Sequence, residues 1–253
     1  MHVRAPLVLI SAAAWMALVI EPGGAAFLAH CSPEMLARAA LSLSLKRAVA
    51  PERIASLCSG WGLMLAAMMA PLVVAPVRHL CDRSVPRRRT RAIVLFGSGY
   101  VAVWMAAGVM LLALAIAARL IVYESYAMVS VGTLIALIWQ FSPVKQRCLN
   151  RCHARTELAA FGLAADLDAL RFGLTLGVWC VGSCWALMLL PLLVSGGHVA
   201  AMAAGALWLL AERLDRPMRP RWHVRGLGKA ARLVIAQMQD FFSPRRFARG
   251  EGC

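Results

Sequence analysis

The chain has 253 residues, 61% of them hydrophobic and 15% charged, with a formal net charge of +15. A soluble domain carries about 45–50% apolar and about 25% charged residues. This composition, with a mean hydropathy of +0.69, therefore excludes an ordinary soluble globular protein and points to an all-α, polytopic membrane protein. The basic residues lie outside the apolar runs, which argues against nucleic acid as a partner and for the anionic face of a lipid bilayer.

A membrane-spanning helix needs about 20 mostly apolar residues, and six stretches approach that length. The first, Pro6–Ile20 behind Arg4, resembles the charged and apolar regions of a signal peptide. Glu21-Pro22-Gly23-Gly24 is a poor cleavage site, so it is read as a retained helix. Ser32–Ala50 has helically spaced apolar residues (Met35, Leu36, Ala39, Ala40, Leu43) and reads as an interfacial helix. The second span, Leu57–Val77, places Met64 and Met68 on one face with Met69 turned about 100° away. Pro71 should kink it near Met68 and Met69 by freeing the carbonyl of Ala67. Ala92–Ala118 is the third span and Ala127–Phe141 the fourth. The fourth runs into Pro143-Val144-Lys145-Gln146-Arg147-Cys148-Leu149-Asn150-Arg151-Cys152-His153. The fifth, Phe172–Val194, carries Cys180, Cys184 and Met188 four residues apart, one sulfur-bearing stripe on a helix. Gly173 and Gly177 continue that stripe as a small-xxx-small contact surface, a pattern compatible with a homo-oligomer. Pro191 lies just beyond Met188. His198–Ala211 is the sixth span, and Trp222–Phe242 reads as a basic amphipathic helix on the membrane surface. The whole chain, 1–253, is read as one membrane domain.

Of the basic residues, 22 fall in the tail, in alternate loops and at Arg4, against 5 in the remaining loops. The positive-inside rule then puts both termini in the cytoplasm. Cys81, Cys148, Cys152 and Cys253 fall on that reducing side and Cys180 and Cys184 within the membrane, so only Cys31 and Cys58 could meet an oxidising compartment.

Thiol and thioether donors inside a membrane favour Cu(I) or Zn(II) over hard cations. Cys180, Cys184 and Met188 are the primary candidate ligands, with Met64, Met68 and Met69 as relay positions. Cys148 and Cys152 share a face at the cytoplasmic mouth, beside basic residues that favour thiolate. Packing is the competing account, since free Cys and Met also serve as compact core fillers. No Asp, Glu, Lys or Arg interrupts the second to fifth apolar segments. That argues against a proton-coupled carrier, and Glu212 with Arg213 most simply closes the last helix at the interface. No P-loop, GxSxG or HExxH motif is present. A membrane thiol–disulfide oxidoreductase, with Trp179 and Trp185 lining a quinone pocket, and a non-catalytic assembly subunit remain alternatives.

Three motifs in order resemble a bacterial family of predicted metal-binding integral membrane proteins (domain of unknown function 2182) over about 57–213. They are Ala67-Met68-Met69-Ala70-Pro71; Pro143, Lys145, Cys148, Leu149 and Cys152; and Cys180-Val181-Gly182-Ser183-Cys184-Trp185-Ala186-Leu187-Met188. The resemblance implies a metal-handling protein of the bacterial inner membrane that exchanges its ion with a delivering or accepting protein. The family pattern has His where this chain has Leu176, and a further Cys where it has Ser183. The reduced donor set implies Cu(I) over tetrahedral Zn(II), which takes four ligands. The topology is testable by cysteine-accessibility labelling in cells: reporters in the Arg87–Arg89 loop should react only after the membrane is permeabilised.

Overall fold

The computed structural model describes residues 3–20, 51–121, 125–154, 156–194, 197–215 and 217–222. The expected interfacial segment Ser32–Ala50, and all but the first residue of Trp222–Phe242, lie outside them. Among the described residues every regular element is helical: α1 (Arg4–Ile20), α2 (Pro51–Met69), α3 (Val74–Arg83), a 3₁₀ turn (Pro86–Arg88), α4 (Arg89–Ile121), α5 (Ser125–Phe141), α6 (Pro143–Cys152), α7 (Gly162–Leu193) and α8 (His198–Leu214).

The helices α4 and α7 are long and apolar enough to cross a membrane, and up to four spans result if each bent pair, α2–α3 and α5–α6, counts as one. The outer faces agree, with Val94, Val109, Met110, Leu134 and Ile138 exposed. Six spans remain the sequence expectation; length and composition of the described helices support two to four.

Prolines shape both bent pairs. The second expected span is more than kinked: it breaks at Ala70–Val73, and α2 and α3 meet at 80°. Pro71 has no N–H to give the Ala67 carbonyl, and that carbonyl instead accepts Ser11 Oγ at 2.6 Å and Trp15 Nε1 at 3.1 Å. A backbone acceptor freed in an apolar interior must find donors, and α1 supplies both. Between α5 and α6 the chain turns by 64° at Ser142-Pro143. Ser142 caps α6 by accepting the Val144 N–H at 3.1 Å, and Pro143 occupies the first turn, where a missing N–H costs nothing.

The helix α7 is the axis of the bundle, with 56% of its apolar window buried against 28% for α4. Small residues let the two approach. A Cβ at Gly173 would stand 2.1 Å from the Phe96 carbonyl oxygen, one at Gly99 2.8 Å from that of Leu170, and one at Gly177 2.9 Å from Val103. At the N-terminal end of α7, Asp166 is clamped by Arg88 and Arg91 at 2.8 Å each, which fixes how far α7 slides along α4. Gly173→Val should therefore force the two backbones apart and cost about 1–3 kcal/mol or more. Gly62→Ala, where a Cβ meets nothing within 4 Å, should be neutral or slightly stabilising. Thermal unfolding of the two variants in detergent checks the contrast.

Candidate metal centre

Cys180 sits one turn beyond the Gly173–Gly177 contact on α7 and is 1% exposed. Three other helices converge on its sulfur. From α4, Tyr100 Oη donates to it at 3.3 Å; from α8, Arg213 Nη2 donates at 3.2 Å. Cys152, on the last turn of α6, and Cys184 are both near enough to Cys180 to interact with it electrostatically. The Cys184 thiol also donates to the Cys180 carbonyl at 2.8 Å, as does Ser183 Oγ at 2.8 Å. A guanidinium is charged at every accessible pH, and the anion-forming group it faces here is a cysteine sulfur.

The expected ligands divide into groups. Cys180, Cys184 and Cys152 come together. Met188 is fully buried one turn beyond Cys184 on the same stripe. The Cys148 sulfur, four residues before Cys152 on α6, would lie 2.9 Å from a Cβ at Gly182, so the absent side chain there is its seat. Met64, Met68 and Met69 are buried on α2, with the Met68 methyl group 3.6 Å from the place of a Cβ at Gly205 on α8. Trp185 packs edge-on against Trp139, whose Nε1 donates to the Gly182 carbonyl at 3.1 Å. Among the described residues no three His, Cys, Asp or Glu side chains are gathered so as to hold a metal ion. A pair of sulfurs suits a soft, low-coordinate ion such as Cu(I).

Two residues placed by sequence at the closing end of the last helix have different roles. Glu212 is 2% exposed, and its Oε1 accepts Lys145 Nζ at 2.5 Å, Gln140 Nε2 at 2.8 Å and Trp208 Nε1 at 3.0 Å. Lys145, 1% exposed, also donates to Gln140 Oε1. The short α6 follows the apolar stretch of α5, so sequence placed Lys145 in a loop; the 64° bend turns it inward. The neighbouring Arg213 projects to Cys180. Tyr100, Glu212 and Arg213 were not among the sequence candidates; for Glu212 and Arg213 the available signal was an adjacent acid and base closing an apolar helix. His153 fixes the same corner, its Nδ1 lying 2.8 Å from the Leu149 carbonyl oxygen and its Nε2 3.2 Å from that of Arg213.

The buried Lys145–Glu212 pair predicts asymmetric mutational effects. Glu212→Gln leaves the ammonium uncompensated and should cost about 3–5 kcal/mol, whereas Lys145→Met combined with Glu212→Leu should recover most of that loss. Denaturation midpoints of the single and double variants measure it.

No curated protein and no solved structure matches the chain. A family model does match: PpoB2, described as a copper chaperone, over residues 58–236. That range contains α3 to α8, residues 58–69 of α2, and every residue gathered around Cys180. The chain belongs to the PpoB2 copper chaperone family.

Proposed function

We propose that the protein is a membrane-embedded carrier of Cu(I) that holds one ion between Cys152 and Cys180, with Cys184 and Met188 as adjoining soft donors. The observation that carries this reading is the hydrogen bond from Arg213 to the buried Cys180 sulfur at 3.2 Å. Charge explains why such a neighbour suits the cargo. Before loading, one thiolate and one guanidinium sum to zero. On loading, Cu(I) replaces the Cys152 thiol proton; two thiolates, one monovalent ion and one guanidinium again sum to zero. A divalent ion in the same place would leave a net positive charge in an apolar surrounding, which is costly. The same arithmetic favours Cu(I) over Zn(II), in agreement with the copper chaperone family.

Membrane embedding rests on the long apolar helices and the exposed apolar faces of α4 and α5; the excess of basic residues on one side supports both termini inside, and a bacterial inner membrane is the location the sequence resemblance implies. Cys148, seated on Gly182, acts as a packing residue near the site. Met64, Met68 and Met69 remain relay positions on the far side of the bundle, and a soluble protein partner would give or receive the ion.

Anaerobic titration with Cu(I) against a chromophoric chelator tests the site. Cys180→Ser and Cys152→Ser should each abolish the stoichiometric ion. Arg213→Gln, which removes a group hydrogen-bonded to a ligand, should weaken binding by about 10–100-fold. Met188→Leu conserves volume and should weaken it less. Wild-type stoichiometry in both cysteine variants would overturn the assignment. Recovery of a Cys152–Cys180 disulfide that cycles in cells would point to the oxidoreductase alternative.

A further inference from the structure

A cavity of about 570 Å³ opens beside the sulfur site, where α3, the end of α6 and the end of α8 meet. Its wall includes Arg4, Arg78, His79, Cys152, His153 and Arg213. This volume is that of a small-molecule site, since such pockets run to about 300–1,000 Å³. Cys152 thus faces the cavity on one side and Cys180 on the other.

The groups in the wall differ in what they offer an entering molecule. His153 has both ring nitrogens against backbone carbonyls, and His79 Nε2 lies 3.0 Å from the Thr156 carbonyl oxygen. The Cys152 thiol is then the soft donor at the cavity, and Arg213 is turned to Cys180. At the mouth, Arg4 and Arg78 outnumber the single acid in the wall, Asp82. The Arg78–Asp82 contact is long, 4.0 Å, and highly exposed, so it neutralises Arg78 weakly. A basic mouth of small-molecule size above a thiol fits an anionic ligand that carries a thiophilic ion.

From this arrangement we infer that the cavity is a docking site for the Cu(I) complex of a small anionic thiol, of the kind that keeps the cytoplasm reducing. The inference rests on the carrier reading above and names the form in which the ion arrives. The carboxylates of the thiol lie against Arg4 and Arg78 while its sulfur faces Cys152. Exchange is balanced and redox-neutral. The Cys152 S–H bond and the Cu–S bond to the incoming thiolate break, a Cys152 S–Cu bond forms, and the proton leaves on the released thiol. The ion is then shared with Cys180, already beside it.

Two measurements on the detergent-purified full chain test this. The first uses the metal-free protein and S-methylglutathione, which has the charges but no exchangeable thiol. It should bind, bind less tightly as salt rises, and bind about tenfold less tightly to an Arg4→Gln, Arg78→Gln double variant. Cys152→Ser should leave that binding intact. The second follows loading from Cu(I)–glutathione and from Cu(I)–β-mercaptoethanol. The double variant should load more slowly from the anionic donor only, and reach wild-type stoichiometry from the neutral one, which also shows that it is folded. Absence of S-methylglutathione binding, or equal binding by wild type and double variant, overturns the inference; with normal loading from the neutral thiol, the carrier reading survives. Binding of S-methylglutathione without uptake of Cu(I) from either donor removes the carrier reading and this inference with it.

Discussion

A partly buried guanidinium directed at a buried cysteine sulfur is the constraint around which the rest of the structure is arranged. Burying an ionic group is tolerated only when it is paired and hydrogen-bonded, so Arg213 requires Cys180 within reach. Meeting that requirement fixes α8 against α7. The residue before it, Glu212, repeats the logic with Lys145 and so fixes α8 against α6. Two adjacent residues on one helix thus tie α8 to both α6, which carries Cys152, and α7, which carries Cys180.

This dependence explains why so much polar chemistry occurs in a chain with 15% charged residues. The Lys145–Glu212 pair, its Gln140 and Trp208 partners, and the Ser11 and Trp15 bonds to the Ala67 carbonyl all lie inside the bundle. Each satisfies a group that the fold has removed from water. Among the described residues Glu212 Oε2 and Trp104 Nε1 are the exceptions, buried without a hydrogen-bond partner. An ion pair of this kind contributes less to net stability than to choosing one arrangement of helices. For a site of two sulfurs, that choice decides whether a ligand pair exists at all.

Bends in the backbone serve the same end. Had α5 continued straight through Phe141, Lys145 and Cys152 would have been carried away from α8 and α7. Ser142-Pro143 turns the chain by 64° and lays α6 back over the core. Cys152, on its last turn, is among the residues that line the cavity. The absent side chain at Gly182 makes room for Cys148 in the same approach.

Sequence alone determined the helical class, the apolar stretches, the breaking role of Pro71 and the sulfur-rich motifs, because these follow from local periodicity and covalent geometry. The stripe of Cys180, Cys184 and Met188 was legible for that reason: residues four apart share a face in any α-helix. What could not be read was which distant groups meet that stripe. Glu212 and Arg213 looked like the polar end of an apolar helix, and Lys145 like part of a basic loop, since hydropathy records a residue's own character and not what it packs against. Tyr100 carried no signal inside a uniformly apolar stretch. The surroundings of Cys180 were decided by the 64° turn, the close α4–α7 approach at Gly173, the Arg213–Cys180 hydrogen bond and the buried Lys145–Glu212 pair, all of which exist only once the helices are packed.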